Sequence, residues 1–142
     1  MQISYLKLDS ELPTPHHAHP GDGGVDLYAR TDFRLEPGER ALVPTGVAVA
    51  VPVGFAGLVV PRSGLAIRHG FGVVNGPGLI DAGYRGEIKV VLVNHGDEGV
   101  NVSRGERIAQ LVVVPVAVQD WVEVDELPDT DRGTGGFGST GS

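Results

Sequence analysis

Asn75-Gly76-Pro77-Gly78-Leu79-Ile80-Asp81-Ala82-Gly83-Tyr84-Arg85-Gly86-Glu87 is the stretch on which the fold turns. Apolar, strand-like runs flank it, Phe71 to Val74 before and Ile88 to Val93 after. Gly76-Pro77 and Ala82-Gly83 read as turns, because glycine admits backbone angles closed to other residues and proline presets one of them. Short β-branched runs joined in this way predict a hairpin. Between the runs lie one amide, one acid and one aromatic, spaced by glycines. Such a hairpin can present backbone N–H and C=O groups to a flat ligand while Asp81 and Tyr84 point into one pocket. That arrangement reads a small heterocycle and places a base beside it. The same residues also suit a plain surface hairpin closed by an Asx-type turn.

The same grammar extends in both directions. Strands are predicted at Ile3 to Leu8, Val25 to Ala29, Phe33 to Glu36, Ala41 to Pro44, Gly46 to Val51 and Gly57 to Val60. Further strands are predicted at Gly72 to Val74, Glu87 to Asn94, Val100 to Ser103, Arg107 to Val118 and Trp121 to Val124. Turn signals recur at Pro37-Gly38, Pro52-Val53-Gly54, His95-Gly96-Asp97 and Arg104-Gly105. Short, evenly spaced strands with Gly/Pro turns predict an all-β sandwich, barrel or jelly roll. Only Ser63 to His69 reads as a helix, with Ser63 as a cap and Gly70 as its stop. There is no internal repeat.

A chain of 142 residues is one domain with a real core. The absence of cysteine excludes disulfides, thiolate metal sites and a Cys nucleophile, and fits a reducing compartment. No signal peptide precedes Tyr5, and every long apolar run is broken by Pro or Gly, so a soluble cytoplasmic protein with no membrane partner is expected. The net charge of −7 argues against direct nucleic-acid binding, which needs a basic face. It leaves room for a small anion held by a few local arginines, and Arg62, Arg85, Arg104, Arg107 and Arg132 all lie in turn-like or strand-end contexts. Glycine (22) and proline (10) punctuate the apolar runs, and so mark turns rather than disorder.

Three further segments carry chemistry. In Gly24-Val25-Asp26-Leu27, an acid stands at an apolar strand start, where it either pairs with a buried arginine or with backbone N–H groups, or supports a metal or a basic residue in a site. Pro61-Arg62-Ser63-Gly64 opens the single helix. A helix N-terminus has free N–H groups and a field that favours anions, so Arg62, the Ser63 hydroxyl and the Gly64 amide could hold a phosphate. Gln110, polar within Arg107 to Val118, is a satisfied core amide, or faces the other side of the sheet, or bonds a phosphate or a metal-bound water. His16, His17 and His19 lie between prolines with no partner motif and read as a solvated loop. A Walker loop, a zinc-deaminase signature and a serine nucleophile elbow are absent from the sequence.

Residues 1–128 read as the folded domain and 129–142 as a flexible, Gly-rich tail. Arg132 and Phe137 bracket a run of hydroxyls and backbone donors in that tail. An arginine in a glycine-rich segment can wrap phosphates, and an aromatic can close over a base, so the tail reads as a lid over an active site.

Taken in order and at these spacings, the five segments resemble the trimeric dUTP pyrophosphatase (dUTPase) family, in its bacterial branch. The motif set spans Gly24 to Gly141. The resemblance implies a jelly-roll-like (β-clip) subunit in a homotrimer with shared active sites. It implies hydrolysis of dUTP to dUMP and pyrophosphate with Mg²⁺, which limits uracil incorporation into DNA and supplies dUMP for thymidylate synthesis. By position, Asp81 matches the acid that activates water and Tyr84 the aromatic under the deoxyribose. Asn75, with the Leu79, Ile80 and Asp81 backbone, matches the uracil-reading edge, and Lys89 a substrate contact. Arg62, Ser63, Gly64 and Gln110 match phosphate contacts, and Asp26 a supporting acid. Arg132 matches the arginine on the terminal phosphate, and Phe137 the aromatic over uracil. The metal is expected mainly on substrate phosphates and waters, without a direct protein ligand. Gly83 departs from the pattern, since many relatives carry an acid there. The dCTP deaminases share this general fold, but they carry a second serine where Gly64 stands. A catalytically idle binding or regulatory protein is the rival from another class.

Overall fold

In the computed structural model, which describes residues 1–141, the chain is built from antiparallel ladders. The strands are β1 (Ser4–Lys7), β2 (Gly24–Tyr28), β3 (Phe33–Leu35), β4 (Arg40–Pro44), β5 (Val47–Ala50) and β6 (Phe55–Pro61). They continue as β7 (Phe71–Val73), β8 (Gly78–Ile80), β9 (Lys89–Asn94), β10 (Val100–Val102) and β11 (Arg107–Pro115), with α1 (Ser63–His69) between β6 and β7. One sheet runs β2-β11-β6-β8, another β4-β9-β7, and β1 pairs with β5 and β3 with β10. No helix among the described residues is long and apolar enough to cross a membrane.

The core forms where these sheets face one another. Leu27, Leu35, Val43, Val59, Ile88, Val90, Leu92, Ile108 and Leu111 fill it, with Leu65 sealing α1 against them. Two strands can lie close only where side chains permit. A Cβ on Gly57 would stand 3.1 Å from both the Ile80 Cβ and Leu111 Cδ1, so glycine there lets β8 dock on β6. Gly70 ends α1 in the left-handed region at φ 70° and returns its N–H to Ala66 O, the stop read from the sequence.

Several expectations need correction. Ser63 does not cap the helix. It is the first helical residue, and Arg62 occupies the extended cap position with no side-chain cap bond. Residue type alone had suggested the serine. β8 was not anticipated, because three residues led by a glycine carry no readable periodicity. The last strand ends at Pro115 rather than Val118, and Trp121 to Val124 forms no strand. Val116 still bonds to Gly54 O at 2.9 Å. Beyond it, Val118 and Trp121 are 80% and 89% exposed. An apolar pattern specifies a face that wants cover. It does not supply the neighbouring strand that a ladder requires.

Asn94 is fully buried at the end of β9. Its Nδ2 donates to Leu35 O (3.0 Å) and Glu98 O (2.8 Å), and its Oδ1 accepts from Gly96 N (2.8 Å). Asn94→Leu keeps the volume but strands these groups. It should lower stability by about 2–4 kcal/mol, since unsatisfied buried groups cost more than made bonds return. Urea denaturation should show a lower midpoint with an unchanged slope.

Candidate active site

The hairpin between β7 and β9 encloses a cavity of about 310 Å³. Asn75, Leu79, Ile80, Asp81, Tyr84 and Lys89 all line it, so the structure gathers the sequence-predicted hairpin residues in one place. Its apolar wall comes from Leu42, Val73 and Val91 on the β4-β9-β7 sheet. Local bonds set the loop: Gly76 N donates to Val73 O at 3.0 Å and Tyr84 N to Asp81 O at 3.0 Å. Arg85 Nη1 then ties back to Ala82 O at 2.7 Å and Tyr84 O at 2.8 Å. Asp81 is exposed and makes no ion pair among the described residues. A carboxylate left free beside a half-apolar cavity is available to hold or accept a proton.

A second group assembles where β2, β11 and β6 run side by side. Gln110 lies directly opposite Asp26 on one side and Val60 on the other. Asp26 Oδ1 meets Arg62 Nε at 3.2 Å, and Oδ2 meets Arg107 Nη1 at 3.4 Å. The acid therefore aims two guanidiniums beside the start of α1, where Ser63 and Gly64 sit. An open cavity of about 360 Å³ adjoins them, lined by Arg62, Arg68 and Arg107 among others. Arg107, one of the turn and strand-end arginines that the sequence offers for a small anion, stands opposite Tyr28 in this cluster, and Arg68 is the member that sequence reasoning missed.

The structure does not unite every candidate. The hairpin cavity and the arginine-lined cavity share no lining residue. Arg132 and Phe137 lie on the segment after β11, where Arg132 Nε donates to Gly135 O at 2.8 Å and the Phe137 ring is fully exposed. His16 and His17 face backbone oxygens of Thr14 and Gly24, and no three His, Asp or Glu among the described residues converge as a metal cage.

A family model described as dUTPase matches residues 10–141. The chain belongs to the dUTPase family. Among its relatives, the deoxyuridine 5'-triphosphate nucleotidohydrolase of Rhodococcus erythropolis strain PR4 is 54% identical over 99% of this chain and 87% of its own length. The dUTPase of Staphylococcus bacteriophage 80alpha, solved with dUpNHpp, is 29% identical with a TM-score of 0.90, covering 99% of each chain. A mutant dUTPase from phage phi11 of S. aureus, whose structure details the coordination of a structural Mg(II) ion, is 26% identical with a TM-score of 0.82 over 89% of this chain and 98% of that one. These likenesses bear out the all-β, jelly-roll-like dUTPase subunit expected from the motif order.

The dUTPase hairpin is braced from below by charges of which the sequence reading singled out only Arg104, and that as an anion holder. Glu87 Oε1 accepts from Gly46 N at 2.8 Å and Arg30 Nη1 at 3.1 Å. Arg30 Nε reaches Asp9 at 3.5 Å, and Arg104 closes the chain, with Nη2 2.9 Å from Asp9 Oδ1 and Nη1 2.8 Å from Arg30 O. The Arg104 hydrogen bond, helped by the Glu11 N–H and both arginine charges, outweighs burial and holds the Asp9 carboxyl well below the usual range. A depressed folded-state pKa means that the stabilisation is complete above the unfolded value of about 3.9 and fades as pH falls through the folded value. Urea midpoints should therefore drop with acid below about pH 4. Asp9→Asn should be less stable at neutral pH, and its curve should converge on the parent's in acid. Parallel curves would remove Asp9 from the acid limb.

Proposed function

We propose that the chain hydrolyses dUTP to dUMP and pyrophosphate, with Asp81 as the base that activates the attacking water. The carrying observation is the free Asp81 carboxylate at the rim of a cavity that also holds Asn75 and Tyr84. In this reading Asn75 and the Leu79–Asp81 backbone bond the uracil edge, and the rigid hairpin excludes a 5-methyl group. Cytosine reverses a donor–acceptor pair and leaves buried groups unpaired, which discriminates strongly. Tyr84 packs under the deoxyribose and disfavours a 2′-hydroxyl, and Lys89 adds a substrate contact at the cavity wall.

Asp81 takes a proton from water as the oxygen attacks the α-phosphorus, and pyrophosphate departs with the bond electrons. Arg62, Ser63, Gly64 and Gln110 hold the phosphates, with Asp26 orienting Arg62. Arg132 and the tail amides stabilise the charge that develops on the leaving group, and Phe137 closes over uracil. Mg²⁺ would be carried mainly by substrate phosphate oxygens and water, because this hard ion dehydrates reluctantly and takes its other ligands from phosphates. Bound there, Mg²⁺ supplies charge neutralisation to the triphosphate.

The groups that such a site needs are dispersed in one chain. A homotrimer resolves this if each site takes the hairpin of one subunit, the Arg62–Gln110 group of a second and the tail, residues 129–142, of a third. The exposed apolar stretch around Val118 and Trp121 supports an assembly that covers it. We place the activity in the cytoplasm, where it lowers dUTP available to DNA synthesis and supplies dUMP.

Pyrophosphate release from dUTP, dTTP, dCTP and UTP in Mg²⁺, with EDTA as control, tests this reading. Turnover should be confined to dUTP and lost with EDTA. Ammonia release from dCTP would move the protein to deaminase chemistry. Asp81→Ala should lower kcat by about 10²–10⁴-fold, the range of a general base, with dUTP binding largely retained. A near-normal kcat would refute Asp81 in that role.

A further inference from the structure

Tyr84 is laid back over a residue with no side chain. Its hydroxyl donates to Glu87 O at 2.9 Å, which brings the ring across Gly86. A Cβ built on Gly86 would overlap the Tyr84 hydroxyl and stand 2.6 Å from Cζ and 3.0 Å from Cε2. Gly86 is not among the glycines at positive φ, so its backbone would accept alanine without strain. The turn below is tied independently, by Tyr84 N to Asp81 O at 3.0 Å and Arg85 Nη1 to Ala82 O at 2.7 Å. Tyr84 is 43% exposed, so its ring has room to swing away. Gly83 offers the contrast: a Cβ there meets nothing within 4 Å.

We infer that Gly86 is a positioning residue for Tyr84, leaving open the seat that fixes the ring against the hairpin cavity. The inference rests on the proposed role of Tyr84 at the sugar. An added methyl displaces the ring and breaks its bond to Glu87 O, while the fold stays intact. What is lost is the surface that tells deoxyribose from ribose. Gly86→Ala should therefore reduce the dUTP/UTP ratio of kcat/KM about five- to tenfold, the scale of one oriented hydrogen bond.

The test uses the intact protein labelled at tyrosine, of which there are 3, with the Tyr84 ring signal assigned by its loss in Tyr84→Phe. Gly86→Ala should shift that signal and lower the ratio, with Tm changed by no more than a degree or two, the scale of a surface substitution. Gly83→Ala should change none of these. In a Tyr84→Ala background Gly86→Ala should add nothing further to the ratio, because it acts through the ring. An unmoved ring signal overturns the inference. So does a full-sized additional loss without the ring, and so does an unfolded Gly86→Ala protein, since the ring and not the fold is expected to yield. If Tyr84→Ala leaves the ratio unchanged, the sugar role of Tyr84 fails, and the ring signal alone decides the seat.

Discussion

β11 is hydrogen-bonded along both edges, to β2 and to β6, and the arginine-lined group of Asp26, Arg62, Arg107 and Gln110 hangs from these three strands or from the chain leaving them. The antiparallel register places Gln110 beside Asp26. The end of β6 delivers Arg62 and the start of α1 to the same spot, and the other edge of β6 carries β8. Moving the register by one residue would turn each of these side chains to the opposite face. The small residues along this ladder matter for the same reason. Gly24 lies so close to β11 that a Cβ would come within 3.2 Å of Val112 Cγ2, and Gly57 stands just as tightly under Ile80.

Charge is arranged locally against the overall balance. A net charge of −7 keeps the surface acidic, yet Arg62, Arg68 and Arg107 gather at one open cavity. Asp26 holds two of them in place, where an unrestrained arginine would lose rotamer entropy on capturing a phosphate. The brace from Arg104 through Asp9 and Arg30 to Glu87 is the second such arrangement. It reaches the cavity wall at Glu87, which ties the hairpin to a segment near the N-terminus.

Much of this was legible in the residues. The α1 limits, the Gly70 stop and most strands follow from local rules, because periodicity and turn chemistry act over a few residues. The hairpin residues Asn75, Asp81 and Tyr84 were legible for the same reason, as they are neighbours in sequence. Arg68 and Glu87 were not, because the cavity and the brace they join are assembled from segments far apart in sequence. β8 was hidden by its brevity and its leading glycine. The predicted strand at Trp121 to Val124 failed in the opposite sense: the local pattern is apolar, but among residues 1–141 no strand lies beside it to complete a ladder.

That unpaired stretch has an optical consequence. The protein has a single tryptophan, and Trp121 stands almost bare on the segment beyond β11. An indole in water emits at longer wavelength than one enclosed by apolar side chains. The chain thus carries its own fluorescent gauge, free of background from any second indole. Its colour reports on whether the segment beyond β11 lies open to solvent or is packed away.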